Sequence, residues 1–588
     1  MLTNLALFIL IFILFYLVIF CYGIQLKIFL FSSANLSVGE IGILGFTVTY
    51  ILATVLHFFS NISLEISLSI FILAFFIFYK NFFLIKKILI IERRAIFFLF
   101  CISIILSITT NLHDDVYLYQ LPTINYLQQS KIIFGIQGFS DLLAYGHGFY
   151  NIMALFQLPV LKNTAVFLLP VIFLNYFLLI CHYFFKKKNN TLLKLFISII
   201  FLVICFRYTR TKEFGADIAP LSIIFLLQIY ILDFLETKNL DNLFKFLIFF
   251  IFGIFLKIYV ISAIFLIFVF IFILKKKILS IINNKVFFLS TLIIVVGSSN
   301  NLIHSGCLFY PVSITCFDKD IVSWSVGKEV VKLREAKQSA EAKALKAYIR
   351  LAKFSENKNN YIQNIDPKRY LEEFKYSYLK YIILDPDLQR LLVPVFITVL
   401  IFIFSIFSKK DKKYLTIKNI LVLNITNFCC LAFWLIIGPQ SRYGGIAFVS
   451  FFLFTILFSN GYNSINLINK KILNFLFLVG IIFILGKNSL RIYKEVSDNN
   501  FILIKRFPFS DFKEIDFSTK TEDLFILNIS HSLGCGNVKF PCTPKKYAET
   551  INEVKNKYGY FFVKSNDKIL LKAIEFEHFM FNHYLNNR

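Results

Sequence analysis

No nucleotide-binding or hydrolase signature occurs in the 588 residues: P-loop, G-x-G-x-x-G, G-x-S-x-G, H-E-x-x-H and H-x-E patterns are all missing. Nucleotide hydrolysis and hydrolase chemistry thereby lose their usual sequence support. C-x-x-C spacing is missing too, which weighs against a zinc site. Neither a solenoid repeat nor a low-complexity tract is evident. The first apolar stretch, Met1 to Cys21, has no basic leader and no small-residue cleavage site, so it reads as a retained span and not a removable signal peptide. Proline and glycine are scarce, at 12 and 22, whereas phenylalanine reaches 75.

What is present is apolarity. The chain is 58% hydrophobic, with a mean hydropathy of +0.72. A soluble chain so apolar has too few polar groups to cover its own surface, so lipid must be the covering. The formal charge of +26 is discounted as a nucleic-acid signal, because high Lys comes with high Ile, Phe and Asn, a mixture that A/T-rich coding also produces. No basic groove or base-stacking module is readable, so no nucleic acid is expected as a partner. The charges fall instead in short clusters between apolar runs.

Runs long enough to span lie near residues 2–22, 38–58, 62–79, 95–109, 162–184, 191–208, 216–235, 286–302, 389–407, 416–437, 446–460 and 471–487. Residues 244–274 are too long for one span and are interrupted by Lys257, which suggests two short helices meeting there. The expected fold is an all-α polytopic membrane protein of about fourteen transmembrane helices. It carries a helical external loop and a small α/β C-terminal extracytoplasmic domain. The basic groups at Lys86, Lys87, Arg93 and Arg94, at 186–188, at 275–277, at Lys409, Lys410, Lys412 and Lys413, and at Lys470 and Lys471 are expected inside. The divisions that follow are N-terminal helices 1–94, a core 95–302 with an acidic external loop 110–160, an external loop 303–388, helices 389–487 and an external domain 488–588. An Ala, Lys and Glu-rich stretch from Gly327 to Phe354 suits a surface helix or a lid.

Six of the ten cysteines lie in or beside apolar runs, where a small thiol packs well. Cys307, Cys316, Cys535 and Cys542 fall as two pairs in segments the charges place outside, where disulfides persist.

The candidate chemistry centres on Asn111 to Tyr150. His113, Asp114 and Asp115 sit where the fourth run leaves the membrane. Adjacent carboxylates there are costly unless they bind something, cap a helix or face water. One reading is a helix cap; the other is a general base or metal ligand, its pKa moved towards a useful range by partial desolvation. Tyr117, Tyr119, Gln120, Asn125 and Tyr126 suit a sugar, through ring stacking and hydrogen bonds to hydroxyls. Cations for a phosphate are available at Arg207, Arg210, Lys212, Lys257 and Arg442, the last followed by Tyr443 in GPQSRYGG. Glu213 beside Lys212 equally makes a plain ion pair. His147 and His304 are lone histidines near the same surface, where a structural role is the commoner one. Asp114 and Asp115 are the clustered carboxylates of the acidic loop and supply just part of a coordination shell, so a divalent cation (Mg or Mn) is a possible cofactor.

The segments HDDVYLYQLP with KIIFGIQGF, TKEFGADIAP, SGCLFYPVSITCF with WSV, SRYGG, and GCGNVKFPCTP run from about residue 111 to 544. In these, the chain resembles the GT-C superfamily of polyprenyl-phosphate-sugar glycosyltransferases, and more narrowly a group of uncharacterised bacterial multispanning proteins placed near it. The resemblance implies a GT-C-like helical bundle in the bacterial inner (cytoplasmic) membrane, with loop 303–388 and the C-terminal domain periplasmic. It further implies sugar transfer from a polyprenyl-phosphate-linked donor to a glycan or lipid acceptor. Asp114 and Asp115 would be catalytic; His113, Tyr117, Tyr119, Gln120, His147, Arg210, Lys212, Glu213, Lys257, Arg442 and Tyr443 would bind substrate. Two departures stand out: about three helices precede the acidic loop where typical members have one, and Gln120 stands where the narrower group commonly has His. A flippase of lipid-linked saccharides and a non-catalytic component or polymerase of polysaccharide assembly are the competing functions.

Overall fold

A computed structural model describes residues 2–32, 34–107, 115–158, 165–187, 191–208, 215–274, 284–332, 334–335, 417–437, 445–461, 470–497, 515–522, 525–530, 535, 538–544, 548, 551–557 and 560–565. The described residues are mostly helical, about 80%, with a small C-terminal sheet region. The helices are α1 (Leu2–Leu30), α2 (Val38–Phe59), α3 (Leu64–Lys80), α4 (Phe82–Ser107), α5 (Leu121–Gln129), α6 (Gly148–Phe156), α7 (Ala165–Lys187) and α8 (Thr191–Arg207). There follow α9 (Ile218–Thr237), α10 (Leu240–Leu256), α11 (Ile267–Leu274), α12 (Lys285–Ser305), α13 (Ile417–Ile437), α14 (Ile446–Gly461) and α15 (Lys470–Ser497). Among the described residues seven helices are long and apolar enough to cross a membrane, or eight if α3 and α4, bent by 84° at their junction, make one broken span.

Several boundaries differ from those read off hydropathy. Helix α1 runs on to Leu30, and α15 runs ten residues past the expected end at 487, because polar residues do not stop a helix that is already hydrogen-bonded. Lys86, Lys87, Arg93 and Arg94, expected in a loop, lie on the first turns of α4. The break at Lys257 is where the interrupting charge suggested it: α10 ends at Leu256, Lys257 is extended (φ −156, ψ 131), and a 3-10 stretch from Ile258 to Leu266 leads into α11. Run 389–407 and most of loop 303–388 lie outside the described residues.

Helix α2 is wedged between α1 and α7. A side chain at Gly23 would meet the Ile41 carbonyl at 1.8 Å, and one at Gly45 the Ile19 carbonyl at 1.9 Å, so two glycines let α1 and α2 touch through their backbones. On the other flank Gly39 lies against the Tyr176 backbone and Gly42 against its ring. Helix α9 is buried from Ile218 to Leu235 and forms the centre of the bundle.

One end of the bundle is capped by the acidic loop, here termed the loop face. His57, Asn61 and Ile62, at the end of α2, bond to backbone carbonyls of Ser130, Gln128 and Leu127. The C-terminal strands dock on the same face. The strands β1 (Phe517–Glu522), β2 (Phe525–Ser530) and β3 (Cys542–Pro544) form one sheet, β1 antiparallel and β3 parallel to β2; β4 (Ile551–Lys557) and β5 (Tyr560–Ser565) form an antiparallel pair. Phe134 exchanges backbone hydrogen bonds with Phe561 and Val563, and its ring stacks on Phe562 at 4.4 Å. The Phe540 N–H donates to Gln129 at 2.9 Å, and Thr543 donates to the Phe139 carbonyl. The disulfides Cys307–Cys316 and Cys535–Cys542 form as the sequence pairs them. Both lie at the loop face: the first follows α12, whose Ile303 carbonyl bonds Gly135, and the second flanks Phe540.

Candidate functional site

Helix α4 gives way, after residues outside the described set, to Asp115 and a five-residue π-helical turn, Val116–Gln120. The wide π turn advances each side chain by less than an α turn does, and such turns recur at functional sites. Here it keeps Asp115 and Tyr119 on one side, and the Tyr119 hydroxyl donates to Asp115 at 3.2 Å. That bond stabilises the carboxylate and orients one of its oxygens. Tyr117 is half-buried on the same turn. Gln120 is buried, with its Oε1 bonded to nothing. Its amide lies 3.0 Å from where a side chain on Gly215 would begin, so glycine, at φ +42, lets residues 215–217 lie directly on it.

Those residues end in Asp217, at the head of α9. Asp217 does not bond the helix N-terminus; its carboxylate pairs with Lys257, and both side chains are buried. The pair joins the start of α9 to the break after α10. Lys257 is therefore not the free cation that the sequence reading offered for a phosphate. It arrives already neutralised, because an unpaired ammonium in this bundle would keep its full desolvation cost.

His147 completes the cluster. Its ring lies parallel to Tyr145 at 5.5 Å, edge-on to Tyr150 at 5.3 Å and 6.2 Å from Tyr119. It hydrogen-bonds the Leu256 carbonyl, one of the carbonyls freed where α10 stops. Desolvation by these rings, reinforced by the Lys257 charge, pushes its pKa down to about 3, against smaller opposing effects of the Leu256 bond and Asp115. The imidazole is neutral at physiological pH and serves as a hydrogen-bonding group, not a cation.

Asp115, Tyr119, Gln120, His147 and Lys257 are thus brought together, with Tyr117 beside them. His113, Asp114, Arg210, Lys212, Glu213, Arg442 and Tyr443 lie outside the described residues. His304 takes the structural role weighed for it: Nε2 contacts the Tyr126 hydroxyl at 3.2 Å inside the loop-face packing. Among the described residues no group of three or more His, Cys, Asp or Glu side chains is placed to hold a metal ion. Asp115 by itself does not fit a divalent cation, and no step below relies on one.

Three features escaped the sequence reading. Asp217 is not recognisable from the sequence as the partner of Lys257, forty positions away. The aromatic walls Tyr145 and Tyr150 were not singled out among the aromatics of the loop. A second buried pair, Lys245 Nζ to Glu40 at 2.8 Å, receives a further hydrogen bond from Tyr230 at 3.2 Å. Its signal was present: Ser37 and Glu40 form a capping box at the head of an apolar run, and that acid is the only one in the run. Tyr230 lies thirteen positions after Asp217 along α9, so the two pairs sit about 20 Å apart along the bundle.

The family model described as a domain of unknown function, DUF8201, matches residues 1–449. No curated protein and no solved structure matches the chain.

Two outcomes follow from this geometry. Lys257→Met or Asp217→Asn alone should destabilise the protein by about 3–5 kcal/mol, while Lys257→Met with Asp217→Leu should restore most of the loss; chemical denaturation in detergent reads the difference. His147 binds its proton less readily folded than unfolded, where its pKa is about 6.5. Between about pH 6.5 and about 3 the unfolded chain then holds more protons, and stability falls as pH falls. His147→Gln should flatten that limb of the stability curve.

Proposed function

The chain belongs to the DUF8201 family, and we propose that it is a membrane glycosyltransferase of the GT-C type. In this reading it moves a sugar from a polyprenyl-phosphate donor to a cell-envelope acceptor. The bundle has about fourteen spans in a bacterial cytoplasmic membrane, and the loop face is periplasmic. The presence of both disulfides on that face supports the orientation.

The observation that carries the proposal is the convergence of Asp115, Tyr119 and His147 on the Asp217–Lys257 pair beneath a cap of aromatic and amide side chains. Asp115 removes the proton from the acceptor hydroxyl, and Tyr119 holds the carboxylate in place. The acceptor oxygen attacks the anomeric carbon, the bond to the phosphate oxygen breaks, and the anomeric centre inverts. Lys257, whose charge acts on His147 as that of Asp115 does, turns from Asp217 to the departing phosphate. Tyr119, Tyr145 and Tyr150 offer ring faces to the sugar, and Gln120 offers its unbonded carbonyl oxygen. Asp114, Arg210, Lys212 and Arg442 belong to the same proposal through their positions in the sequence.

A carrier of lipid-linked saccharides is the second reading, favoured by one observation. Carboxylate–lysine pairs occur at two depths of the bundle, Asp217–Lys257 and Glu40–Lys245, and intramembrane charges often mark transport pathways.

The two part on Asp115. Purified chain in nanodiscs, supplied with a panel of radiolabelled polyprenyl-phosphate hexoses and pentoses and envelope glycan acceptors, should transfer label. Asp115→Asn should cut that transfer by about 10²–10⁴-fold while the protein still inserts and folds. Undiminished transfer in the variant sinks the catalytic role, and lipid-linked sugar crossing the bilayer without transfer establishes the carrier.

A further inference from the structure

Helix α4 leaves a patterned face uncovered at the end of the bundle away from the acidic loop. Its Glu92 receives a hydrogen bond from the Val38 N–H at 3.3 Å, at the head of α2, so the first turns of α4 lie at that far end. Phe82, Phe83, Lys86, Lys87, Ile90, Ile91, Arg93, Arg94, Phe97 and Phe98 are all exposed, whereas Ile85 and Leu99 are buried.

The exposed residues are ordered. Positions seven apart on an α-helix return to nearly the same side. Phe83, Ile90 and Phe97 therefore form one stripe along the middle of the face, exposed by 85%, 49% and 70%. Lys86 with Arg93 runs along one side of it, and Lys87 with Arg94 along the other. Members of each column stand about 10 Å apart along the axis. Glu92, the one acid of α4, is turned inward to Val38, so the face carries four cations and no anion.

A soluble acidic partner satisfies the cations but has no evident use for the apolar stripe between them, nor for the exposed Ile72, Phe75 and Phe76 of the neighbouring α3. A lipid does both: its phosphate meets a column while its acyl chains lie on the stripe, and the long basic side chains reach outward to the headgroups. We infer that the first turns of α4 bind anionic phospholipid headgroups in the leaflet opposite the acidic loop. The face anchors the α3–α4 elbow, where the two helices bend by 84°, to that leaflet.

Native mass spectrometry of the full chain in detergent, titrated with phosphatidylglycerol or phosphatidylcholine, tests this. The unmodified protein should prefer phosphatidylglycerol. K86Q, K87Q, R93Q and R94Q combined should abolish the preference, and K87Q or R94Q alone, at exposed positions, should weaken phosphatidylglycerol binding about fivefold each. K328Q with K332Q, exposed near the loop face, should change nothing. Equal binding of the two lipids by the unmodified chain overturns the inference. An unchanged preference in folded K87Q and R94Q does the same, including when an acidic protein is instead captured by this face.

Discussion

The loop-face half of this bundle is organised by one buried ion pair, Asp217 with Lys257. Two charges taken out of water stay charged inside a helical bundle only when each finds the other and their remaining polar atoms find partners. Three local structures are consistent with that need. Helix α10 stops at Leu256 so that Lys257 can leave the helical path. Gly215 takes a positive φ so that the segment bearing Asp217 can lie flat on Gln120. His147 moves in to bond the Leu256 carbonyl that the broken helix frees. The same three adjustments that accommodate the pair also gather the polar side chains of the loop around it.

That arrangement joins fold to chemistry. Asp115 is steadied by Tyr119, a neutral imidazole sits beside it, and a lysine stands ready behind a carboxylate. In the proposed function a paired lysine serves an arriving phosphate better than a free one, because the protein is stable while the site is empty. The second pair, Glu40 with Lys245, plays no part in this region and ties α2 to α10 about 20 Å away. Its bonds to Tyr230 and to Ser37 make it a structural lock, and the same tie also serves a transport pathway if one exists.

Hydropathy located the seven described helices that are long and apolar enough to cross a membrane, because apolar runs of this length have few alternatives in lipid. It misjudged ends where polar residues continue a helix, as at Lys487 to Ser497 of α15 and at Lys86 to Arg94 of α4. The charge at Lys257 correctly announced a broken helix, since a lysine inside an apolar run is hard to explain otherwise. Its partner was not legible, because a pairing between positions forty apart depends on how two helices cross and not on local pattern. The cysteine pairs were legible for the opposite reason: nine and seven residues apart, they close short loops that need no knowledge of the fold. The aromatic surroundings of His147 were hidden among 29 tyrosines and 75 phenylalanines, where no single ring stands out.

On the proposed function, the Asp217–Lys257 pair lies where a lipid phosphate binds. A cryo-electron microscopy map of the full chain in a nanodisc containing a polyprenyl phosphate tests it most directly. The account predicts phosphate density within hydrogen-bonding reach of the Lys257 ammonium and close to Asp115. Phosphate density elsewhere on the bundle, with Lys257 still closed on Asp217, would contradict it.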